Sequence, residues 1–137
     1  IGYGSQFYIL KDYIKKNNLS KNVKILKNVK NPFPYYKLAD TFVLSSKYEG
    51  FGNVLVEAAM FKINIISTDC NSGPREILLN GRYGQLFRVG DYKKLSKLML
   101  NSLKQKNLYN KNGLYKSLKR FSVKQNIKNY IKLFKKI

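Results

Sequence analysis

Short apolar runs alternate along the chain with stretches of helical periodicity, and glycine, asparagine and proline punctuate the gaps. Thr41-Phe42-Val43-Leu44 is a continuous apolar run ending at Ser45-Ser46. Such a run suits a strand buried on both faces. Ile63 to Ser67 is a second buried strand, with Asn64 its one polar interruption. Val23 and Ile25 alternate with lysines, as a half-buried strand over 23–27 would. Ile1-Gly2-Tyr3-Gly4 reads as a strand end running into a turn, and Gly84 to Phe87 as a last short strand. Phe7, Leu10 and Ile14 recur at helical spacing and predict a helix over 5–18. Pro34 opens a short helix through Leu38. An apolar helix is expected from about Asn53 to Phe61, and Pro74 starts another short one. Asn80-Gly81 is a turn. From Asp91 the pattern is helical to the end, broken near Asn112-Gly113 and near Phe121-Ser122.

Strand and helix alternate, which points to an α/β fold: one Rossmann-like domain, a parallel sheet with helices on both faces and a helical carboxyl terminus. In such sheets ligands bind beyond the carboxyl ends of the strands. The loops at 45–52 and 68–73 are therefore where chemistry is expected.

Composition narrows that chemistry. The chain has 137 residues, enough for one domain. It contains no histidine, which removes the usual general base and most zinc sites. The single cysteine, Cys70, cannot form an internal disulfide, which fits a reducing compartment. No apolar run approaches a membrane span. With 27 bases against seven acids the net charge is +20, which attracts anionic partners. Nucleic acid, an acidic membrane face and a phosphorylated small molecule are the candidates, and solvated lysines on helix faces are the plainer account of the same charge.

Two of the seven acids, Glu49 and Glu57, bracket a small glycine loop in 47-KYEGFGNVLVEAAM-60. A glycine turn leading into a helix presents unpaired backbone N–H groups with the positive end of the helix dipole behind them. That combination favours a phosphate. Gly50 and Gly52 let a ligand approach the backbone closely. Glu57, one turn further on, can point back and accept hydrogen bonds from a ribose diol. Glu49, at the mouth, can grip hydroxyls of a second sugar. The residues alone leave a plainer reading open, with Glu49 a surface acid and Glu57 a complement to the helix dipole.

The segment 40-DTFVLSSKYEGFGNVLVEAAM-60 resembles the E-x7-E region of retaining glycosyltransferases of the GT-B fold, in the family called glycosyltransferase group 1 or family 4. The likeness continues through 66-ISTDCNSGPREIL-78 and 80-NGRYGQLF-87, with 32-PFPYYKLAD-40 upstream and the Phe121-Ser122 helix near the end. Ile1-Gly2-Tyr3-Gly4 resembles the family's strand-turn, with Tyr3 where an acid is common. The resemblance implies that residues 1–137 form the carboxyl-terminal, donor-binding domain, truncated at its amino end, with carboxyl-terminal helices over 106–137. It implies that Glu49 contacts the transferred sugar at the reacting centre. It implies that the backbone of Gly50, Phe51, Gly52, Asn53 and Val54 holds the diphosphate and that Glu57 binds the ribose. By weaker alignment, Leu26 and Lys27 lie near the nucleobase.

The resemblance also implies what is missing: the amino-terminal acceptor domain, in cis or in trans, and the upstream Arg/Lys pair that neutralises the diphosphate. Retaining transfer in this family relies on the stabilised leaving diphosphate rather than on a protein nucleophile. The isolated chain is therefore expected to bind donor weakly and to transfer poorly. The expected substrate is a nucleotide-sugar, with UDP suggested by the 66–78 stretch, and no metal or other cofactor. The expected setting is bacterial surface polysaccharide or lipopolysaccharide synthesis in the cytoplasm, at the inner membrane face.

Three further features carry readings. Arg75 either contacts the donor or pairs with a nearby acid. Lys47 reaches a phosphate or is simply solvated, and Ser72 caps the short helix. The basic amphipathic segment 116–137 either lies on an anionic membrane or packs on the domain. Two other functions fit the same composition: a non-catalytic remnant or assembly subunit, and a nucleic-acid-binding module, for which no motif speaks.

Overall fold

The computed structural model describes residues 1–105 and 108–135. Residues 106–107 and 136–137 of the expected carboxyl-terminal helical stretch lie outside the described residues. The chain divides into two compact units, Ile1–Pro34 and Tyr35–Ile137.

In the first unit, helix α1 spans Phe7–Lys16. The strands expected at 1–4 and 23–27 are not formed. The two segments share one backbone bond, with Gly2 N–H donating to Leu26 C=O at 2.8 Å, which is too little for a ladder. Helix α2, Phe33–Leu38, begins in this unit and ends in the next.

The second unit is built on three parallel strands in the order β1-β2-β3: Thr41–Leu44, Asn64–Thr68 and Gln85–Phe87. Thr41 pairs with Asn64 and Ile66 with Gln85. All five residues of β2 are buried. Its alternate side chains serve opposite faces, as pleating requires. Ile65 packs with Leu55, Ala58, Ile77 and Leu114 on one face, and Ile66 with Phe87 and Leu98 on the other. Helices α3 (Asn53–Met60), α4 (Pro74–Ile77) and α6 (Lys111–Ser117) thus supply one face, and α5 (Tyr92–Lys104) the other. This two-sided cover is why Ile65 and Ile66 stand side by side in the strand rather than alternating with exposed polar residues. β1 departs from the expected burial on both faces. It stands at the end of the strand order, and its four residues are only half-buried.

The helical tail breaks earlier than its pattern suggests. α5 ends at Lys104, and Gln105 is extended. Asn110 then caps α6, its Oδ1 accepting from Gly113 N–H at 2.8 Å, so Asn112-Gly113 lies inside the helix. Tyr109, just before that cap, meets the sheet. Its hydroxyl accepts from Ile65 N–H at 2.6 Å and donates to Ile63 C=O at 3.0 Å. It serves one backbone group just before β2 and one inside it, ahead of Ile66, where β3 begins to pair. The break at Phe121-Ser122 is where it was expected. A 3-10 turn over Leu118–Phe121 gives way to α7, Val123–Phe134, capped by the Ser122 hydroxyl. No residue of α7 is buried, so along its length the helix is not packed into the domain. No helix among the described residues is long and apolar enough to cross a membrane.

Candidate functional site

The loop 45–52 leaves the carboxyl end of β1 and delivers the chain to α3. Gly52 makes the junction. Its φ of 86° and ψ of 54° are left-handed, a conformation glycine takes without strain. No side chain caps α3, and its first turn contains no acid. The opening amides of the helix thus stand uncapped beside Gly50, around which a Cβ would meet open space. A polyanion fits this arrangement, because the helix dipole and the unpaired N–H groups both favour negative charge.

The loop after β2 is locked onto this one. A Cβ at Gly73 would lie 2.1 Å from the Phe51 carbonyl oxygen, and Gly73 has φ of 67°. Only glycine permits both the approach and the angle. Ser72 does not cap α4, as its position suggests. Gly73 is the cap residue, and the Ser72 hydroxyl lies 2.7 Å from Glu49 C=O and 2.6 Å from Asn71 C=O. Buried Thr68, at the end of β2, donates to Ser46 C=O at 2.7 Å. Two side chains and one close glycine approach therefore hold the backbone of Ser46, Glu49 and Phe51 in place. The Phe51 ring packs edge-on against Phe121, with ring centres 4.9 Å apart. Its side chain is an anchor, and its backbone is what the loop offers a ligand. Arg120 secures the far end of α4 by donating to Glu76 C=O and Ile77 C=O.

The two glutamates differ. No protein donor reaches the Glu49 carboxylate among the described residues, and the side chain is half-buried at the loop's edge. Glu57 accepts a hydrogen bond at Oε2 from the Tyr36 hydroxyl at 3.0 Å. Tyr36 was not foreseen from sequence, because a tyrosine in a short helix 21 residues upstream carries no spacing signal. Burial, with Glu57 second, pushes its ionisation well above the ordinary value of 10.0, so it stays a donor.

Arg75 is paired: its guanidinium meets Asp69 Oδ2 at 2.5 Å, with the arginine side chain 61% exposed and the aspartate 21%. Lys47 stands over the Tyr48 ring, 5.4 Å from its centre. The structure thus gathers Glu49, Gly50, Phe51, Gly52, Asn53, Val54, Glu57 and Arg75 in one unit, around two interlocked loops and the start of α3. Leu26 and Lys27 belong to the other unit. There the Lys27 ammonium lies over the Phe7 ring, 3.7 Å from its centre, and Leu26 serves Gly2 through its carbonyl. No group of three Cys, Asp or Glu suited to a metal occurs among the described residues.

The sequence pattern of the family described as "Glycosyl transferases group 1" matches residues 1–118. An uncharacterized glycosyltransferase, MJ1059, of Methanocaldococcus jannaschii is 45% identical over 78 residues, covering 57% of this chain and 19% of that protein. The amylovoran biosynthesis glycosyltransferase AmsD of Erwinia amylovora is 32% identical over 83 residues, 61% of this chain and 24% of its own. The chain thus spans about a quarter or less of these relatives. Among solved structures, the lipopolysaccharide outer core galactosyltransferase WaaB in its apo form superposes with a TM-score of 0.84 at 25% identity. That match covers 99% of this chain and 40% of WaaB. A TarM variant of S. aureus, solved with Fondaparinux, alpha-GlcNAc-glycerol and UDP, also gives 0.84, at 20% identity, over 96% of this chain and 27% of TarM.

Proposed function

This chain belongs to the group 1 glycosyl transferases, and from that membership we propose that it forms the donor half of a retaining transferase for a nucleotide-sugar, UDP-linked, acting on a glycan or lipid-linked acceptor. The observation that carries the reading is the interlocked glycine loop at the uncapped start of α3, flanked by Glu49 and Glu57. The backbone amides of Gly50 to Val54 take the diphosphate. Glu57 takes the ribose diol. Glu49, which no donor among the described residues reaches, takes hydroxyls of the transferred sugar beside the reacting carbon.

The chemistry needs little from side chains as acids or bases. When the sugar–phosphate bond breaks, negative charge grows on the leaving diphosphate. Fixed amides and a helix dipole aimed there stabilise that charge more in the transition state than in the ground state. The acceptor hydroxyl, presented by an acceptor domain outside this stretch, attacks on the face the leaving group vacates, and its proton passes to the departing phosphate oxygen. Two relatives support the setting: AmsD is named for amylovoran biosynthesis, and WaaB for the lipopolysaccharide outer core. The wider assignment is surface polysaccharide synthesis at the inner face of a bacterial membrane.

The test is transfer itself, with the protein that carries this chain and its acceptor domain. Given UDP-GlcNAc and UDP-galactose, it is expected to release UDP and to form an α-linked product, read from the anomeric coupling by proton NMR. Glu49→Gln is expected to lower kcat by about a hundredfold. A β-linked product, or full activity in Glu49→Gln, would refute the reading.

A further inference from the structure

We infer that Tyr36 is the positioning residue of the ribose site: its hydroxyl holds the Glu57 carboxylate in the orientation that meets a nucleotide's 2′,3′-diol. The inference rests on the donor-site reading above.

Tyr36 is only 7% exposed. Its ring is stacked on Phe61 at 5.6 Å and 28°, and meets Phe42 edge-on at 5.6 Å. Those contacts come from β1 and from the end of α3, so the hydroxyl is aimed by two elements besides its own. Packing alone does not call for that hydroxyl. Phenylalanine would fill the same space, and the chain uses eight of them elsewhere. The hydroxyl has one described partner, Glu57 Oε2.

A glutamate side chain loses rotamer freedom when it is ordered. A half-exposed glutamate on a helix samples several rotamers, and a ligand that needs one of them must select it on binding. The Tyr36 donor makes that selection beforehand. A carboxylate carries about four acceptor positions on two oxygens. One is used by Tyr36, which leaves Oε1 and a second lone pair of Oε2 for the two ribose hydroxyls. Because Tyr36 stays protonated well above pH 10, it donates across the whole working range.

The experiment is calorimetric titration of the protein that carries this chain with UDP, ADP and GDP and with their 2′,3′-dideoxy forms. The readout is the ratio of ribo to dideoxy affinity, which a general loss of packing does not move. Glu57→Gln is expected to lower that ratio by about tenfold. Tyr36→Phe is expected to lower it about fivefold while dideoxy affinity stays constant. In the Glu57→Gln background, Tyr36→Phe should change the ratio no further. A ratio untouched by Tyr36→Phe but lowered by Glu57→Gln would overturn the role of Tyr36 alone. A ratio untouched by Glu57→Gln, or no binding of any nucleotide, would overturn the ribose site and Tyr36 with it. Tyr36→Leu, which removes ring and hydroxyl together, should lower stability as well and so separates the two roles.

Discussion

Gly73 and Gly50 look alike in sequence and differ in the fold. At Gly73 a methyl group would sit 2.1 Å from a backbone oxygen, in a left-handed conformation. At Gly50 it would meet open space. Gly73→Ala is therefore expected to cost at least about 2 kcal/mol in denaturant unfolding, and Gly50→Ala less than about 0.5 kcal/mol. Equal costs at the two positions would mean that the loops are not interlocked. The Glu49/Glu57 pair around a glycine loop was readable from the chain, because rare acids in a basic sequence stand out. The partners of those residues were not. Ser72 sits where a helix cap belongs, yet its hydroxyl reaches Glu49 C=O, across 23 residues. Tyr36 and Glu57 are likewise joined only by folding.

The elements that enclose the site follow from burial. β2 is covered on both faces, and its apolar run announced it. The expected strand at 23–27 showed the right alternation, but one backbone bond to Gly2 does not build a ladder. Alternation records a side-chain preference, and a strand also requires a neighbour. The tail does not break at Asn112-Gly113 for a local reason: a glycine that ends helices elsewhere here supplies the N–H that Asn110 caps. Tyr109 then joins the tail to the sheet, with one hydroxyl serving Ile65 N–H of β2 and Ile63 C=O just before it. Tyr109→Phe leaves both without that partner and should cost about 1–3 kcal/mol. Burial raises the Tyr109 ionisation well above 10.0, with the Ile65 amide partly opposing. The folded state then holds a proton that the unfolded chain releases above about pH 10. Stability is present in full below that pH and falls as pH rises through the folded value, by up to about 1.4 kcal/mol per pH unit. Tyr36 shifts the same way. Tyr109→Phe should therefore flatten, but not abolish, the alkaline decline seen in chemical denaturation from pH 9 to 11. An unchanged slope would show that Tyr109 does not titrate with folding.

At the scale of the whole molecule, the +20 charge and the donor site make separable demands. Non-specific binding to a polyanion releases counterions and weakens steeply with salt. Single-stranded DNA binding is expected to collapse by about a hundredfold between 50 and 200 mM salt and to ignore Glu57→Ala, as fluorescence anisotropy would report. A salt-resistant, sequence-selective DNA complex would instead make nucleic acid the partner. The family and the parallel α/β architecture were both legible, because they rest on runs of residues whose order survives without a structure. The arrangement of the whole enzyme was not, since the chain covers only 40% of WaaB and less of the curated relatives. The central claim is that the glycine loop and the start of α3 hold a nucleotide-sugar diphosphate. It is tested most directly by following the backbone amides by NMR while UDP and UDP-GlcNAc are added at moderate salt, with Glu57→Ala alongside. The account predicts shifts centred on Gly50, Gly52, Asn53 and Val54, weakened in the variant. A folded protein whose loop amides do not move at millimolar ligand would contradict it.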